Sequence, residues 1–353
     1  MNIKILLSLT VYLYLLSSNL WTEEYISIKK DWEGIEREYL IYLPDNYEEN
    51  KKKSFPVIFG LHGYTGTASG FQKETTKGMN LLAEKEDIVI VYPQGSHFNS
   101  IFQNRSTFVS SWNDLVSNKE QEPNKPKKCK LNRPTYPKPP ECSDFSFCAW
   151  TSCYDDLGFL KSVIEEVSSN YRIDKKRRYM IGMSNGGFSC LHPELLSASV
   201  AVASSVAISN SCENKSDLPL LIIYGSLDKT TPYDGSSSSD GFFYEPTSEL
   251  FNNWANAMNC NDNLINSELK FSQEKGLICS KRSQCDSSNH EVQICEIPGG
   301  GHFWPGQNES VGFCRDSLQN NNVQSYYECK REYKDLNWGN ELIWDFLKQH
   351  QRI

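Results

Sequence analysis

Five short, nearly continuous apolar runs constrain this chain more than any other feature. They read "FPVIFGLHG", "IVIVYPQG", "RRYMIGMS", "ASVAVASSVA" and "LPLLIIYGSLD", and most end on a glycine or a small polar residue. Runs without polar alternation suit strands covered on both faces, as in parallel sheets. The two segments before them, "EYISIKK" and "EREYLIYLP", alternate apolar with polar residues and read as more ordinary strands. Between and after the runs lie stretches of helical spacing: "KGMNLLAEKED", "YDDLGFLKSVIEEVSSNY", "TSELFNNWANAMNC" and "ELIWDFLKQH". In the second, Leu157, Leu160, Val163, Ile164 and Val167 fall on one face, with Asp155 and Asp156 in the first turn where the helix dipole favours them. Strand and helix in alternation predict an α/β fold, a mostly parallel, doubly wound sheet with helices on both faces.

The chain begins "MNIKILLSLTVYLYLLSSNLW". Lys4, an apolar run from Ile5 to Leu16 and then small polar residues predict a secretory signal over residues 1–20. The run is shorter than the ~20 residues a membrane span needs, so no membrane association is expected after cleavage. The mature chain, 21–353, is expected to form one domain and a monomer. Its 12 cysteines, none before Cys129, predict disulfides in an oxidising compartment, with the connectivity unreadable. No C-x-x-C pair exists and the 6 histidines are scattered, which speaks against a metal site. Sequons at Asn104, Asn214 and Asn308 fit a secreted surface. A net charge of −8 is wrong for a nucleic-acid partner. Two segments break the alternation: residues 115–149, rich in Lys, Pro and Cys, and residues 261–290, polar with Cys279 and Cys285. Each is expected either to decorate the surface or to shape a substrate site.

Within "MIGMSNGGFSC", Ser184 stands between Gly182 and Gly186. A serine at a strand-to-helix turn flanked by glycines is the context of an activated nucleophile. The acid that would orient its base is Asp228, directly after a strand; Asp234, further into the loop, is the competitor. The base is His302, in "IPGGGHFWPG"; His97, His290 and His350 occupy less suitable places. Ser184, Asp228 and His302 follow the α/β-hydrolase order of such a triad. The turn "LHGYTGTASG" would supply an oxyanion donor from the backbone N–H of Tyr64, with the Asn185 N–H as the second and His62 bracing the turn.

With these residues located, the sequence resembles the secreted esterase family of polyhydroxybutyrate depolymerases and feruloyl esterases. The resemblance rests on "FPVIFGLHGYTGTA", "VYPQG", "SWND", "YDDLGFL", "GMSNGG", "LIIYGSLDKTTPYDG" and "GGGHFWPG", in that order, over about residues 35 to 348. It implies an extracellular carboxylic-ester hydrolase that uses no cofactor or metal and acts on hydroxycinnamoyl, acetyl or polyester substrates. It implies Ser184 as nucleophile, Asp228 as acid and His302 as base, and Trp304 as a wall of the acyl pocket. Two departures stand out. After "GMSNGG" only "FSCL" precedes the "HPELL" segment, so the helix behind the nucleophile is short and Pro193 would stop it. Phe303 replaces the small polar residue the family often carries after the histidine. The shortened helix leaves open a non-catalytic binding protein on a hydrolase scaffold, and the fold leaves open a secreted serine peptidase.

Overall fold

A computed structural model describes residues 25–75, 78–102, 105–132, 136–142, 148–187, 193–206, 217–307 and 337–352. The expected signal segment, the three sequons and Cys190, Cys212, Cys314 and Cys329 lie outside the described residues.

The apolar runs become the centre of a ten-stranded sheet. These strands are β1 (Ile26–Trp32), β2 (Ile35–Tyr42), β3 (Phe55–Leu61), β4 (Val89–Pro93), β7 (Ile173–Met183), β8 (Ala198–Val202), β9 (Leu220–Gly225), β10 (Ile265–Asn266), β11 (Ile278–Arg282) and β12 (Val292–Ile297). Their spatial order is β1-β2-β4-β3-β7-β8-β9-β12-β11-β10. Pairing is parallel from β4 through β12 and antiparallel at both ends. The crossing of β3 and β4, followed by sequential parallel strands, is the arrangement of an α/β-hydrolase, and the chain has that fold.

Side-chain alternation explains why the sheet is wound on both faces. Along β3, Val57, Phe59 and Leu61 enter one apolar layer while Ile58 enters the other. On β9, Leu220 and Ile222 oppose Leu221 and Ile223 in the same way. One layer is covered by α3 (Asp156–Asn170) and α4 (Thr247–Ala257). The other is covered by α1 (Ala68–Glu74), α2 (Gly78–Glu86) and the closing helix α5 (Trp338–Leu347). Trp338, Leu342, Ile343, Phe346 and Leu347 of α5 are buried, and each such burial stabilises by ~1.5–3 kcal/mol. Packing therefore holds this helix, because its Trp, Ile, Phe and Asn are indifferent helix formers.

Asp155 caps α3, its side chain accepting the Gly158 N–H at 2.9 Å. Asp156 lies in the first turn as expected, and it also turns inward and forms a fully buried ion pair with Arg37 of β2 at 2.8 Å. Three elements were not legible in the sequence. Helix α1 begins inside the expected oxyanion turn, capped by the Thr67 hydroxyl accepting from Gly70 N–H at 2.8 Å. A hairpin of β5 (Ser96–Phe102) and β6 (Arg105–Ser111) stands apart from the main sheet. Its Ser-rich strands lack the apolar alternation that would announce them.

The third is the antiparallel pair β10–β11, within the segment 261–290, of which β11 is the longer strand. Its "ICSKR" has a polar composition because it lies near a sheet edge, where one face meets water. Disulfides Cys260–Cys285 and Cys279–Cys295 fasten this edge to the sheet. Segment 261–290 is thus a pinned sheet edge and contributes nothing to the cavity at the nucleophile.

Candidate active site

Three adjacent regions at the carboxyl ends of β7, β9 and β12 converge. Ser184 directly follows β7 and sits at φ 52°, in the left-handed region that a serine adopts at a cost of ~1–3 kcal/mol. The flanking glycines make that geometry possible. A side-chain carbon at Gly182 would lie 2.0 Å from the Gly186 carbonyl oxygen, and one at Gly186 would lie 2.5 Å from the carbonyl oxygens of Leu61 and His62. The elbow leads into a 3-10 turn, Ser184–Gly187, rather than the α-helix expected there. Residues 188–192, where a shortened helix was expected, lie outside the described residues. The Ser204 hydroxyl donates to the Ser184 carbonyl at 2.7 Å and ties the turn to the loop after β8.

His302 and Asp228 are both buried, with His302 Nδ1 2.8 Å from Asp228 Oδ2. Protonation of Nδ1 toward the carboxylate makes Nε2 the lone-pair nitrogen. The carboxylate is itself fixed: Oδ1 accepts the backbone N–H groups of Thr230 (2.8 Å) and Thr231 (2.9 Å). Thr231 Oγ1 lies 2.8 Å from Asp228 Oδ2 and 3.0 Å from the Ala203 carbonyl. Thr231 was missed from sequence, although a Thr three residues after the acid is a recognisable turn signal. Asp234 is exposed and accepts the Ser236 N–H at 2.9 Å, whereas the partner of His302 Nδ1 is Asp228. His97 stacks on Phe108, and His290 pairs with Asp217 at 2.7 Å.

The expected oxyanion turn lies against the nucleophile: a carbon at Gly63 would be 3.4 Å from Ser184 Cβ. His62 braces it as expected. Its Nδ1–H donates to the Gly63 carbonyl at 2.7 Å, and its Nε2 accepts the Gly95 N–H at 3.0 Å. Burial lowers its pKa to about 4, so this ring is neutral and structural. Asn185 is held from the other side. Its Oδ1 accepts the Trp112 N–H at 2.7 Å and its Nδ2 donates to the Trp112 carbonyl at 3.0 Å. The Trp112 indole N–H donates to the His62 carbonyl at 2.9 Å. One buried tryptophan therefore ties both candidate donor segments together, and sequence reading did not single it out beyond the "SWND" motif.

Trp304 requires a correction. It is fully buried, donates its indole N–H to Asn340 of α5 at 2.8 Å and meets Phe71 of α1 edge-on, with ring centroids 5.3 Å apart. It locks two helices together in the core and does not line the cavity. Phe303 is likewise buried away from the cavity lining. The aromatic wall comes instead from Tyr64, Tyr136, Trp150 and Tyr244. Tyr64 stands 5.0 Å from Tyr136 and 5.1 Å from Trp150, centroid to centroid. Segment 115–149 delivers Tyr136, and the disulfides Cys129–Cys148 and Cys142–Cys153 staple that segment. Of the two irregular segments, this one shapes the site.

Two hollows flank Ser184. The larger, about 350 Å³, is lined by Tyr64, Glu74, Trp150, Asp240 and His302 among others. The smaller, about 30 Å³, is lined by Asn185, Ser204, Ser205 and Val206. Among the described residues no group of three His, Cys, Asp or Glu is placed to hold a metal ion.

No family model matches the chain. A curated relative, the candidate esterase NocK of Nocardia uniformis subsp. tsuyamanensis, is 28% identical over 170 residues, 43% of this chain and 49% of NocK. The chain thus spans about half the length of the curated relative it matches. Among solved structures, the acetyl xylan esterase of Aspergillus awamori aligns with a TM-score of 0.46 at 14% identity, covering 83% of this chain and 94% of that one. A ferulic acid esterase of Anaeromyces mucronatus, solved with ferulic acid, aligns with a TM-score of 0.42 at 15% identity, covering 80% and 85%. The fold assignment rests on the strand order and the elbow rather than on these likenesses.

Proposed function

We propose that the protein is a serine carboxylic-ester hydrolase working through an acyl-enzyme. The observation that carries this reading is the buried His302–Asp228 pair facing the same cavity as a serine on a strained elbow. In the proposed sequence, His302 Nε2 takes the Ser184 proton as Oγ attacks the ester carbonyl, and Asp228 holds the imidazolium. The N–H groups of Tyr64 and Asn185 stabilise the oxyanion. The bond to the alcohol then breaks, with His302 returning the proton to the leaving oxygen, and water attacks the acyl-enzyme to release the acid. A fluorophosphonate probe tests the assembled site: labelling mapped to Ser184 is expected, and absence of labelling in folded protein overturns the reading.

Two hollows of unequal size support a division of the ester between them. The group that protonates the leaving alcohol must be beside it, and His302 lines the larger cavity. The acyl group then occupies the smaller hollow, which suits an acetyl better than a cinnamoyl or hydroxybutyryl chain. Of the substrate classes implied by the sequence resemblance, acetyl esters are favoured. Rates on p-nitrophenyl acetate, butyrate and octanoate are expected to fall steeply with chain length, and equal or rising rates overturn the assignment. Four disulfides among the described residues support an extracytoplasmic site of action.

The pH profile follows from the same geometry. Burial alone would lower the His302 pKa, but the Asp228 carboxylate, with Glu74 and Asp240 further off, outweighs it and leaves the ring above its ordinary value of 6.5. The base works only when neutral. Hence kcat/KM is expected to be full at alkaline pH and to fall on acidification through an apparent pKa above that ordinary value. An acid limb lying below it would contradict the His302–Asp228 pairing.

A further inference from the structure

The larger cavity contains chemistry that ester hydrolysis does not use. Among the described residues its lining includes two carboxyl groups, Glu74 and Asp240, and no lysine or arginine. Asp240 is internally satisfied: Oδ1 accepts from the Ser238 hydroxyl and the Phe242 N–H, and Oδ2 accepts the Tyr136 hydroxyl at 3.2 Å. Glu74 is different. It ends α1, faces the cavity and has no hydrogen-bond partner among the described residues. Burial raises its carboxyl pKa to about 7, and the charge of His302 counters this only in part. The Tyr64 hydroxyl, on a side chain lining the same cavity, is also buried without a partner.

Glu74 is half-buried, and a carboxyl drawn partly out of water without a partner favours a ligand that completes it. A cation entering the cavity would meet that carboxyl together with the aromatic side chains of Tyr64, Tyr136, Trp150 and Tyr244. Carboxylate plus aromatic faces is the combination that binds ammonium groups, whereas an anionic substrate would meet uncompensated negative charge. Resting on the esterase reading and its assignment of the alcohol to this cavity, we infer that the enzyme selects esters whose alcohol portion carries a positively charged amine, with Glu74 as the residue that sets this preference. The reaction is unchanged: the bond from the acyl carbon to the leaving atom breaks, the cationic alcohol departs with a proton from His302, and water releases the acid.

The test compares acetylthiocholine with 3,3-dimethylbutyl thioacetate, a pair of matched shape that differs in charge, at pH 8. The wild-type ratio of kcat/KM is expected to favour the cation by at least about tenfold, and Glu74→Gln to bring that ratio below about threefold. Because the readout is a ratio within one protein, a general loss of activity in the variant does not imitate the effect. As a second measurement, butyltrimethylammonium is expected to inhibit p-nitrophenyl acetate hydrolysis competitively, and 3,3-dimethylbutanol to do so far more weakly. A wild-type ratio near one, or a ratio that Glu74→Gln leaves unchanged, overturns the inference while the esterase reading stands on fluorophosphonate labelling. Absence of both turnover and labelling overturns the esterase reading and this inference with it.

Discussion

Replacing Ser184 by alanine is expected to lower kcat for p-nitrophenyl acetate by roughly a million-fold, to the level that binding and oxyanion contacts alone provide. The loss is large because no other group in the cavity is equipped as a nucleophile. Thr65, Thr107 and Thr230 also line it, but none of them sits on the elbow that follows β7. Asp228→Asn is expected to cost about ten-thousand-fold, since the amide would hold His302 in the wrong tautomer without disturbing the Thr230 and Thr231 contacts. The two losses should not multiply in the double variant, because the residues act as one unit. Steady-state rates on purified variants, with circular dichroism to confirm folding, decide the matter. Retention of more than about a hundredth of wild-type kcat by Ser184→Ala would remove the serine from the mechanism.

Breaking the Arg37–Asp156 pair has the largest expected effect on stability. Both side chains are almost wholly removed from water, 2.8 Å apart, with the Arg37 guanidinium 4.0 Å from the Phe159 ring centroid. Arg37 also donates to the Gln94 carbonyl at 3.1 Å, and Asp156 Oδ2 accepts the Asn113 N–H at 2.7 Å. Arg37→Ala would strand the carboxylate in the core at a cost of ~3–5 kcal/mol, measured as a fall in unfolding free energy in urea. Arg37→Met combined with Asp156→Leu is expected to recover much of that loss, because it leaves no buried charge unpaired. A loss under ~1 kcal/mol in the single variant would mean that water reaches the pair and the burial is wrong. The same pair steadies Asn113, next to Trp112, whose backbone clamps Asn185. The single variant should therefore also lower kcat more than it raises KM.

How much of this was readable in advance follows from the range of the interactions involved. Continuous apolar runs at "FPVIF", "IVIVY" and "LPLLIIYG" foretold buried parallel strands, since covering both faces demands apolar residues at every position. Ser184, Asp228 and His302 were legible for a related reason: each follows a strand, and the carboxyl ends of parallel strands lie on one side of the sheet. Glycines at 182 and 186 were legible as a steric requirement of a tight elbow.

Tertiary structure alone decided the rest. "GGGHFWPG" puts Trp304 two residues from His302, yet the chain turns between them, so one side chain faces the cavity and the other joins α1 to α5. Asp156 was legible as a first-turn residue of α3, but its pairing with Arg37, from a strand far earlier in the chain, was not. Polar β11 and the Ser-rich hairpin of β5 and β6 form through pairing and disulfides rather than through any local pattern. Tyr136, from an aperiodic Lys- and Pro-rich segment, reaches the cavity because Cys129–Cys148 folds that segment over the site. Sequence by itself determined where the apolar strands run and which residues stand at their ends, because burial and tight turns leave local signatures. Which side chains then surround the substrate depends on contacts between residues far apart in the chain, and only the folded structure brings those together.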